Sequence, residues 1–142
     1  MTARILVIED SPPLLALYQA LFQDEGYEVI LQSTPRFDPL TIARIAPDLI
    51  VLDLLFDGHL IGWDALQALR LQPVTATIPI VICSAALRHV DVLQSAFAML
   101  DVHVLTKPFD LETLLKLVDH LLTQHGTHPD RLVPAPPLDD QE

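Results

Sequence analysis

Acidic, hydroxyl and basic residues follow the apolar runs of this chain. Asp53 comes directly after one apolar run, and Glu9 and Asp10 follow another near the start of the chain. Ser84 ends a later run, and Lys107 follows the last one. Three carboxylates brought close together repel one another unless a proton or a cation lies between them. Oxygen ligands without His or Cys favour Mg²⁺ (or Mn²⁺), so these residues predict a divalent-cation site beside a hydroxyl and an amine.

Such a site would support phosphoryl transfer. A carboxylate oxygen of Asp53 could attack phosphorus in line while the cation and Lys107 neutralise the phosphoryl oxygens, leaving an acyl phosphate. Ser84 could donate a hydrogen bond to one of those oxygens. The alternative is that Asp10 and Asp53 cap helices and that Lys107 forms a surface ion pair. Each residue alone favours this alternative, whereas their joint spacing favours the site.

The segments between these residues alternate between strand-like and helix-like patterns. Predicted strands cover residues 4–9, 28–32, 48–53, 78–84 and 102–106, and predicted helices cover 12–25, 38–46, 63–71, 88–100 and 110–123. Five β/α units predict a parallel sheet with helices on both faces. Because the carboxyl ends of parallel strands meet at one edge of the sheet, where open α/β folds bind ligands, we expect the polar residues to converge there.

Composition indicates one acidic domain. With 142 residues, 51% of them hydrophobic, the chain can bury one good core, which we assign to residues 1–124. Residues 125–142 form a proline-rich acidic tail that we predict to be disordered. A net charge of -11 argues against direct nucleic-acid binding. No apolar run approaches a membrane span, we expect no signal peptide, and the lone Cys83 fits a reducing cytoplasm.

Four motifs follow the first, third, fourth and fifth predicted strands in a specific order. They are Glu9-Asp10 after the first strand, Asp53 after the third, Ser84-Ala85 after the fourth and Lys107-Pro108-Phe109 after the fifth. This pattern resembles the receiver domain of response regulators in two-component signalling, over residues 4–123. The resemblance implies a flavodoxin-like, doubly wound sheet with strand order 2-1-3-4-5.

The resemblance also implies roles for the acidic residues and their neighbourhood. Asp53 matches the phosphoacceptor, and Asp10 and Asp53 match direct Mg²⁺ ligands. Glu9 matches a ligand that acts through a water molecule, and Leu55 matches a residue whose backbone carbonyl contacts the ion.

The switch residues match the family only in part. Ser84 matches a hydroxyl that moves to the phosphoryl oxygen, and Ala85 is small enough to admit it. Lys107 matches the phosphate-pairing lysine, whose bond to Pro108 is expected to be cis. Val104 departs from the pattern, because many members have Tyr or Phe there. We therefore expect the phosphorylated state to be relayed without the usual aromatic rotamer exchange.

The loop after Asp53 departs from the pattern as well. Residues 54–64 lack the common Met-Pro pair, and the loop is about one residue longer than usual. Asp57 is read as a surface turn residue before Gly58, with an added acid near the metal as the alternative. Leu55 and Ala86 occupy positions that influence hydrolysis in the family, and their apolar side chains predict a protected acyl phosphate.

These observations predict a stand-alone receiver rather than an enzyme with turnover. It would accept a phosphoryl group from a histidine kinase or a phosphotransfer protein and change its affinity for an effector or for a second copy of itself. Val92, Ala96 and Met99 form a second apolar line on the helix predicted at 88–100, which indicates either deeper packing or a partner-binding face.

Two other functions remain as alternatives. The first is a degenerate receiver that acts as a phosphorylation-independent binding scaffold, which Val104 and the altered loop after Asp53 suggest and the intact acids, Ser84 and Lys107 oppose. The second is a hydrolase that turns over an aspartyl phosphate. Such enzymes usually need a second acid two residues after the nucleophile, and Leu55 occupies that position.

Overall fold

Five parallel strands form the centre of the fold in a computed structural model, which describes residues 2–34, 38–85 and 95–125. The strands are β1 (Arg4–Ile8), β2 (Glu28–Gln32), β3 (Leu49–Leu52), β4 (Ile80–Ser84) and β5 (His103–Thr106). They lie in the order β2-β1-β3-β4-β5, and each adjacent pair is parallel. The predicted fold and strand order are therefore confirmed, with four of the five strands slightly shorter than expected.

Helices connect the strands and cover both faces of the sheet. They are α1 (Pro12–Asp24), α2 (Pro39–Ile45), α3 (Ile61–Leu71), α4, described over 95–100, and α5 (Leu111–His125). Helix α3 begins earlier than predicted and α5 ends later, at His125. The remainder of the tail lies outside the described residues. Among the described helices, none has the length and apolar character needed to cross a membrane.

Helix α1 begins where the sequence signals place its start. The Ser11 hydroxyl accepts a hydrogen bond from the Leu14 N–H, and Pro12 and Pro13 occupy the first turn, where a missing N–H costs nothing. This start fixes the direction in which the chain leaves strand β1. The two acids that precede Ser11 are therefore kept at the end of the strand.

The strands are apolar throughout because alternate side chains enter two different cores. Ile5 and Val7 pack on the face covered by α1 and α5, whereas Leu6 and Ile8 pack on the face covered by α2, α3 and α4. All four side chains are fully buried. Each such side chain contributes about 1.5–3 kcal/mol to folding. The two cores hold the strands rigidly, so residues just beyond the strand ends have defined positions.

Candidate functional site

The strand register brings the site residues to one edge of the sheet. The Asp53 N–H donates to the Ile8 carbonyl at 3.2 Å, so Asp53 lies beside the end of β1, where Glu9 follows. The Lys107 N–H donates to the Ser84 carbonyl at 2.8 Å, which joins the ends of β5 and β4. The convergence predicted from the sequence is therefore present in the structure.

Lys107 links the two buried acids. Its Nζ lies 3.0 Å from Glu9 Oε1 and 3.2 Å from Asp53 Oδ2. Burial lowers the pKa of Lys107, but Asp53 and Glu9 outweigh that effect and hold the pKa above its usual value. The lysine is therefore a fixed positive charge beside Asp53.

Glu9 lies in an environment that disfavours its charged form. Burial and the nearby Asp53 carboxylate raise the pKa of Glu9, although Lys107 and a 3.1 Å hydrogen bond from the Ser11 N–H lower it. Burial disfavours the charged form, and a second carboxylate adds repulsion. A cation would relieve both effects.

Three carboxylates form a set that fits a small divalent cation. One oxygen from each of Glu9, Asp10 and Asp53 lies within 4.8 Å of the others. The Leu55 N–H donates to Asp53 Oδ1 at 3.1 Å, which orients the carboxylate, while the role of the Leu55 carbonyl stays a prediction. Oxygen donors of this kind suit Mg²⁺ or Mn²⁺.

The alternative in which these acids cap helices is wrong. Ser11 caps α1, and the residue that precedes α3, Leu60, makes no side-chain capping bond. Lys107 is also not a surface pair, because Glu9 and Asp53 are only 2% and 7% exposed.

The loop after Asp53 contains a tight turn that supports Asp10. Phe56 and His59 exchange two backbone hydrogen bonds, of 2.9 and 3.0 Å. Asp57 and Gly58 between them have positive φ angles of 54° and 79°, as in a type I′ turn. The Asp57 N–H donates to Asp10 Oδ2 at 3.0 Å. Asp57 is thus an exposed turn residue, as expected, but its contact with Asp10 was missed; the Asp-Gly pair was the available signal.

Gly62 was also missed by the sequence reasoning. A Cβ at this position would lie 2.0 Å from the Asp53 carbonyl oxygen and 2.7 Å from the Leu54 Cα, so only glycine fits. Its N–H donates to the Leu54 carbonyl at 3.0 Å. Helix α3 therefore begins directly against the end of β3 and closes the loop.

The switch residues lie beside the acids. Ser84 is fully buried, Ala85 is exposed and Val104 is half-buried. The bond between Lys107 and Pro108 is cis, as predicted. The Lys107 N–H donates to the Ser84 carbonyl, so a hydroxyl residue and the small Ala85 lie beside the lysine that contacts the acids. Their roles in switching stay predictions.

The predicted interface is described only in part. Val92 and Ala86 lie outside the described residues. Ala96 is half-buried and Met99 is 86% exposed, while Phe97 on the same helix is buried in the core. Deeper packing is therefore wrong for Met99, and a partner-binding face stays a prediction.

An apolar groove adjoins the site. It has a volume of about 390 Å³ and lies between α1 and the segment that runs from Lys107 to Leu111. Leu14, Leu17 and Phe109 contribute much of its apolar lining, and Lys107 and Ala85 form part of its wall. A molecule in this groove would therefore lie next to the lysine that contacts Asp53.

Comparisons with known proteins agree with this geometry. The response regulator receiver domain model matches residues 5–119. Protein PilH of Pseudomonas aeruginosa is 31% identical over 121 residues, which cover 84% of this chain and 98% of PilH. The DNA-binding dual master transcriptional regulator RpaA of Synechocystis is 35% identical over 84% of this chain, but the match covers only 48% of RpaA.

A solved structure gives the same result for the fold. The chemotaxis response regulator CheY4 of Vibrio cholerae superposes with a TM-score of 0.72 at 26% identity, covering 86% of this chain and 100% of CheY4. The family match over residues 5–119 includes Ile5–Ile8 of β1, the four other strands, and Glu9, Asp10 and Asp53. This chain belongs to the response regulator receiver domain family.

Proposed function

We propose that this protein is a phosphorylation-controlled switch that accepts a phosphoryl group on Asp53 from a histidine kinase or a phosphotransfer protein. One observation carries the proposal: the Lys107 ammonium contacts both Glu9 and Asp53, in a site where one oxygen from each of three acids lies within 4.8 Å of the others. Three carboxylates beside one ammonium carry an excess of negative charge, which would favour a divalent cation that in turn binds an incoming phosphoryl group.

Mg²⁺ (or Mn²⁺) is the cofactor that these residues suit. Asp10 and Asp53 would hold it directly, Glu9 would hold it through water, and the Leu55 carbonyl would complete the protein ligands. A bound divalent ion neutralises charge on the carboxylates and on the phosphoryl oxygens.

The reaction uses the side chains of Asp53, Lys107 and Ser84. A carboxylate oxygen of Asp53 forms a bond to phosphorus while the bond from phosphorus to the donor nitrogen breaks, and the donor imidazole leaves with that electron pair. Lys107 moves its ammonium from the carboxylate to a phosphoryl oxygen. The Ser84 hydroxyl donates a hydrogen bond to another phosphoryl oxygen. The product is an acyl phosphate on Asp53.

Readout must proceed through backbone movement because position 104 has no ring. The Lys107 N–H donates to the Ser84 carbonyl at 2.8 Å, so movement of Ser84 toward the phosphoryl group displaces the β5–α5 connection as well. Ala85 leaves space for that movement. Val104 has too small a side chain to relay it by rotation. The state would be read on the surface of α4, β5 and α5.

The groove beside Lys107 favours a protein as the phosphodonor. Its apolar walls offer area for packing, and the lysine at one side lies 3.2 Å from Asp53. A donor histidine carried on a helix or loop could enter there. The downstream partner is an effector protein or a second copy of this chain that contacts Ala96 and Met99. We place the protein in the cytoplasm, where its receiver domain would bind neither nucleic acid nor membrane.

The test follows intact mass during incubation with acetyl phosphate and Mg²⁺. We expect the parent to gain a single phosphoryl group, and chelation of the metal or the substitution Asp53→Asn to abolish the gain. Asp64→Asn is the matched control, since Asp64 is an exposed acid in the first turn of α3.

The other outcomes identify the alternatives. Release of many equivalents of phosphate would indicate a hydrolase, and absence of any gain would indicate a binding scaffold. After donor removal, we expect slow loss of the added mass because Leu55 and Ala86 are apolar. Decay as fast as in rapid chemotaxis regulators would contradict that expectation.

A further inference from the structure

Asp10 differs from the other two acids in how it is held. Glu9 and Asp53 are buried and contact Lys107, and each also accepts a backbone N–H. Asp10 is exposed, and its contact among the described residues is the 3.0 Å hydrogen bond from the Asp57 N–H to Oδ2. The position of this one acid therefore depends on the turn after Asp53.

Backbone hydrogen bonds and a buried side chain hold the turn that supplies this N–H. The paired backbone hydrogen bonds between Phe56 and His59 close it, and the Phe56 ring is only 3% exposed. The hydrogen bond between Gly62 and Leu54 closes the wider loop. The Asp57 N–H is thus presented by a closed loop with a buried anchor. An exposed carboxylate that accepts from such a donor has fewer orientations to lose when it binds an ion.

We propose that the turn at residues 56–59 positions Asp10 for the divalent cation, through the main-chain N–H of Asp57 rather than through the Asp57 carboxylate. The hydrogen bond occupies Oδ2 and leaves the other oxygen of Asp10 for the ion. The inference rests on the cation site of the proposed function. Groups that orient a metal ligand typically change metal affinity by about 10- to 100-fold when they are removed.

Two glycines allow a matched experiment. Gly58 has φ +79° and Gly26 has φ +89°, and a Cβ at either position would meet nothing within 4 Å. Alanine therefore strains the backbone at both sites without a clash. Gly58 belongs to the turn that holds Asp10, whereas Gly26 lies in the distant connection between α1 and β2. Both substitutions should lower the thermal midpoint by a similar amount.

The readout is the Kd for Mg²⁺, measured by calorimetry without any phosphodonor. We expect Gly58→Ala to weaken binding by about 10-fold, at the low end of the range for orienting groups. Gly26→Ala should leave the Kd within about 2-fold of the parent, because no ligand touches that turn. Equal loss of affinity in both variants would show a general effect of stability and would overturn the proposal.

A second pair of variants separates the N–H from the side chain. Asp57→Pro removes the donor and cannot adopt φ 54°, so it should weaken Mg²⁺ binding at least as much as Gly58→Ala. Asp57→Asn keeps the N–H and tolerates the turn, so its Kd should stay within about 2-fold of the parent. A loss in the Asn variant equal to that in the Pro variant would assign the effect to the carboxylate and contradict the proposal.

Mg²⁺ binding by the parent protein distinguishes failure of the positioning role from failure of the cation site on which it rests. If the parent binds Mg²⁺ and both Gly58→Ala and Asp57→Pro bind it equally well, the positioning role is refuted and the cation site stands. If the parent binds no Mg²⁺, the cation site itself is refuted, and the positioning role falls with it.

Discussion

The amino edge of the sheet, where the strands begin, and the carboxyl edge, where they end, hold buried or half-buried charges in opposite ways. At the amino edge, the Arg4 guanidinium forms a 3.0 Å ion pair with Glu28 and donates to the Ile45 carbonyl. The Arg4 N–H also donates to Asp48 Oδ2 at 2.7 Å. These contacts join the starts of β1, β2 and β3. Each charge there has a partner within the protein.

Arg70 performs the same task at the starts of β4 and β5. Its guanidinium donates to the carbonyls of Ile78 and Leu100, both at 2.8 Å. It also donates to the carbonyls of Ala76 at 3.0 Å and Asp101 at 3.2 Å. Burial lowers the pKa of Arg70, and Asp101 opposes that effect. The four carbonyls accept hydrogen bonds from the guanidinium N–H groups. The amino edge is thus held together by two arginines.

The carboxyl edge has the opposite balance. Glu9, Asp10 and Asp53 cluster there, and the Lys107 ammonium contacts only Glu9 and Asp53, so the acids outnumber the cation beside them. Removing one partner from a balanced charge network is costly, whereas an excess of like charge already lowers stability and favours binding of a counter-charge. Buried charge alone therefore does not distinguish the two ends of the sheet, whereas the excess of acids makes the carboxyl edge the candidate functional site.

The largest predicted effect is at the amino edge. Arg4→Met should lower the free energy of unfolding by about 3 kcal/mol, because it leaves Glu28 and a buried carbonyl without their cation. Urea unfolding measures the change. Arg44→Met is the control, since Arg44 is exposed on α2, and it should change stability by less than about 0.5 kcal/mol. Equal stability of the two variants would contradict a structural role for the amino edge.

The second effect is at the carboxyl edge, where a cation should stabilise the protein. Mg²⁺ at 100 times its Kd should raise the free energy of unfolding by about 2.7 kcal/mol, because it binds only the folded state. The same addition should have a much smaller effect on Asp53→Asn. Thermal unfolding with Mg²⁺ and with chelator measures both. If Mg²⁺ leaves the thermal midpoint of the parent unchanged, the charges at the carboxyl edge are balanced within the protein, as they are at the amino edge.

The third effect concerns Arg70, which is half-buried, so water can replace some of its contacts. Arg70→Met should lower the free energy of unfolding by about 1–2 kcal/mol, because several carbonyls lose their donor. Lys116→Met is the control, since the side chain of Lys116 is 76% exposed in a 3.9 Å pair with Glu112. Urea unfolding compares them. An equal loss in the control would show that the four carbonyl contacts add nothing.

Sequence reasoning predicted the carboxyl edge well and the amino edge not at all. Apolar runs that end in Glu9, Asp53 and Lys107 are visible because polarity changes abruptly at each strand end. Arg4 and Arg70 carry no such signal, since an arginine within or beside an apolar segment is usually expected at the surface. Their partners are backbone carbonyls and acids that only the folded register brings together.

The loop after Asp53 marks another limit of the sequence. Its length and its Asp57-Gly58 pair were recognisable, but the direction in which the Asp57 N–H points depends on where Phe56 packs. The need for glycine at position 62 depends on how closely α3 approaches β3. Both are tertiary contacts, so no local pattern predicts them.

The smallest effect concerns Glu9, and its size depends on pH. Burial and Asp53 raise the pKa of Glu9 in the folded protein above its ordinary value of 4.5. Folding therefore favours the protonated form, and the stability that Glu9 contributes is present below pH 4.5 and is lost as pH rises through the folded-state pKa. Glu9→Gln remains neutral throughout. Without metal at pH 7, it should be more stable than the parent by about 1 kcal/mol, the energy of two close charges in water.

Urea unfolding in chelator at several pH values measures this difference, which should vanish below pH 4.5. Glu112→Gln, on the exposed face of α5, is the control and should show no such dependence. With saturating Mg²⁺ the order should reverse, because the glutamine lacks the charge that helps to hold the ion. A Glu9→Gln variant that is less stable than the parent in chelator at pH 7 would mean that Lys107 already balances the carboxyl edge, and the contrast between the two edges would then be lost.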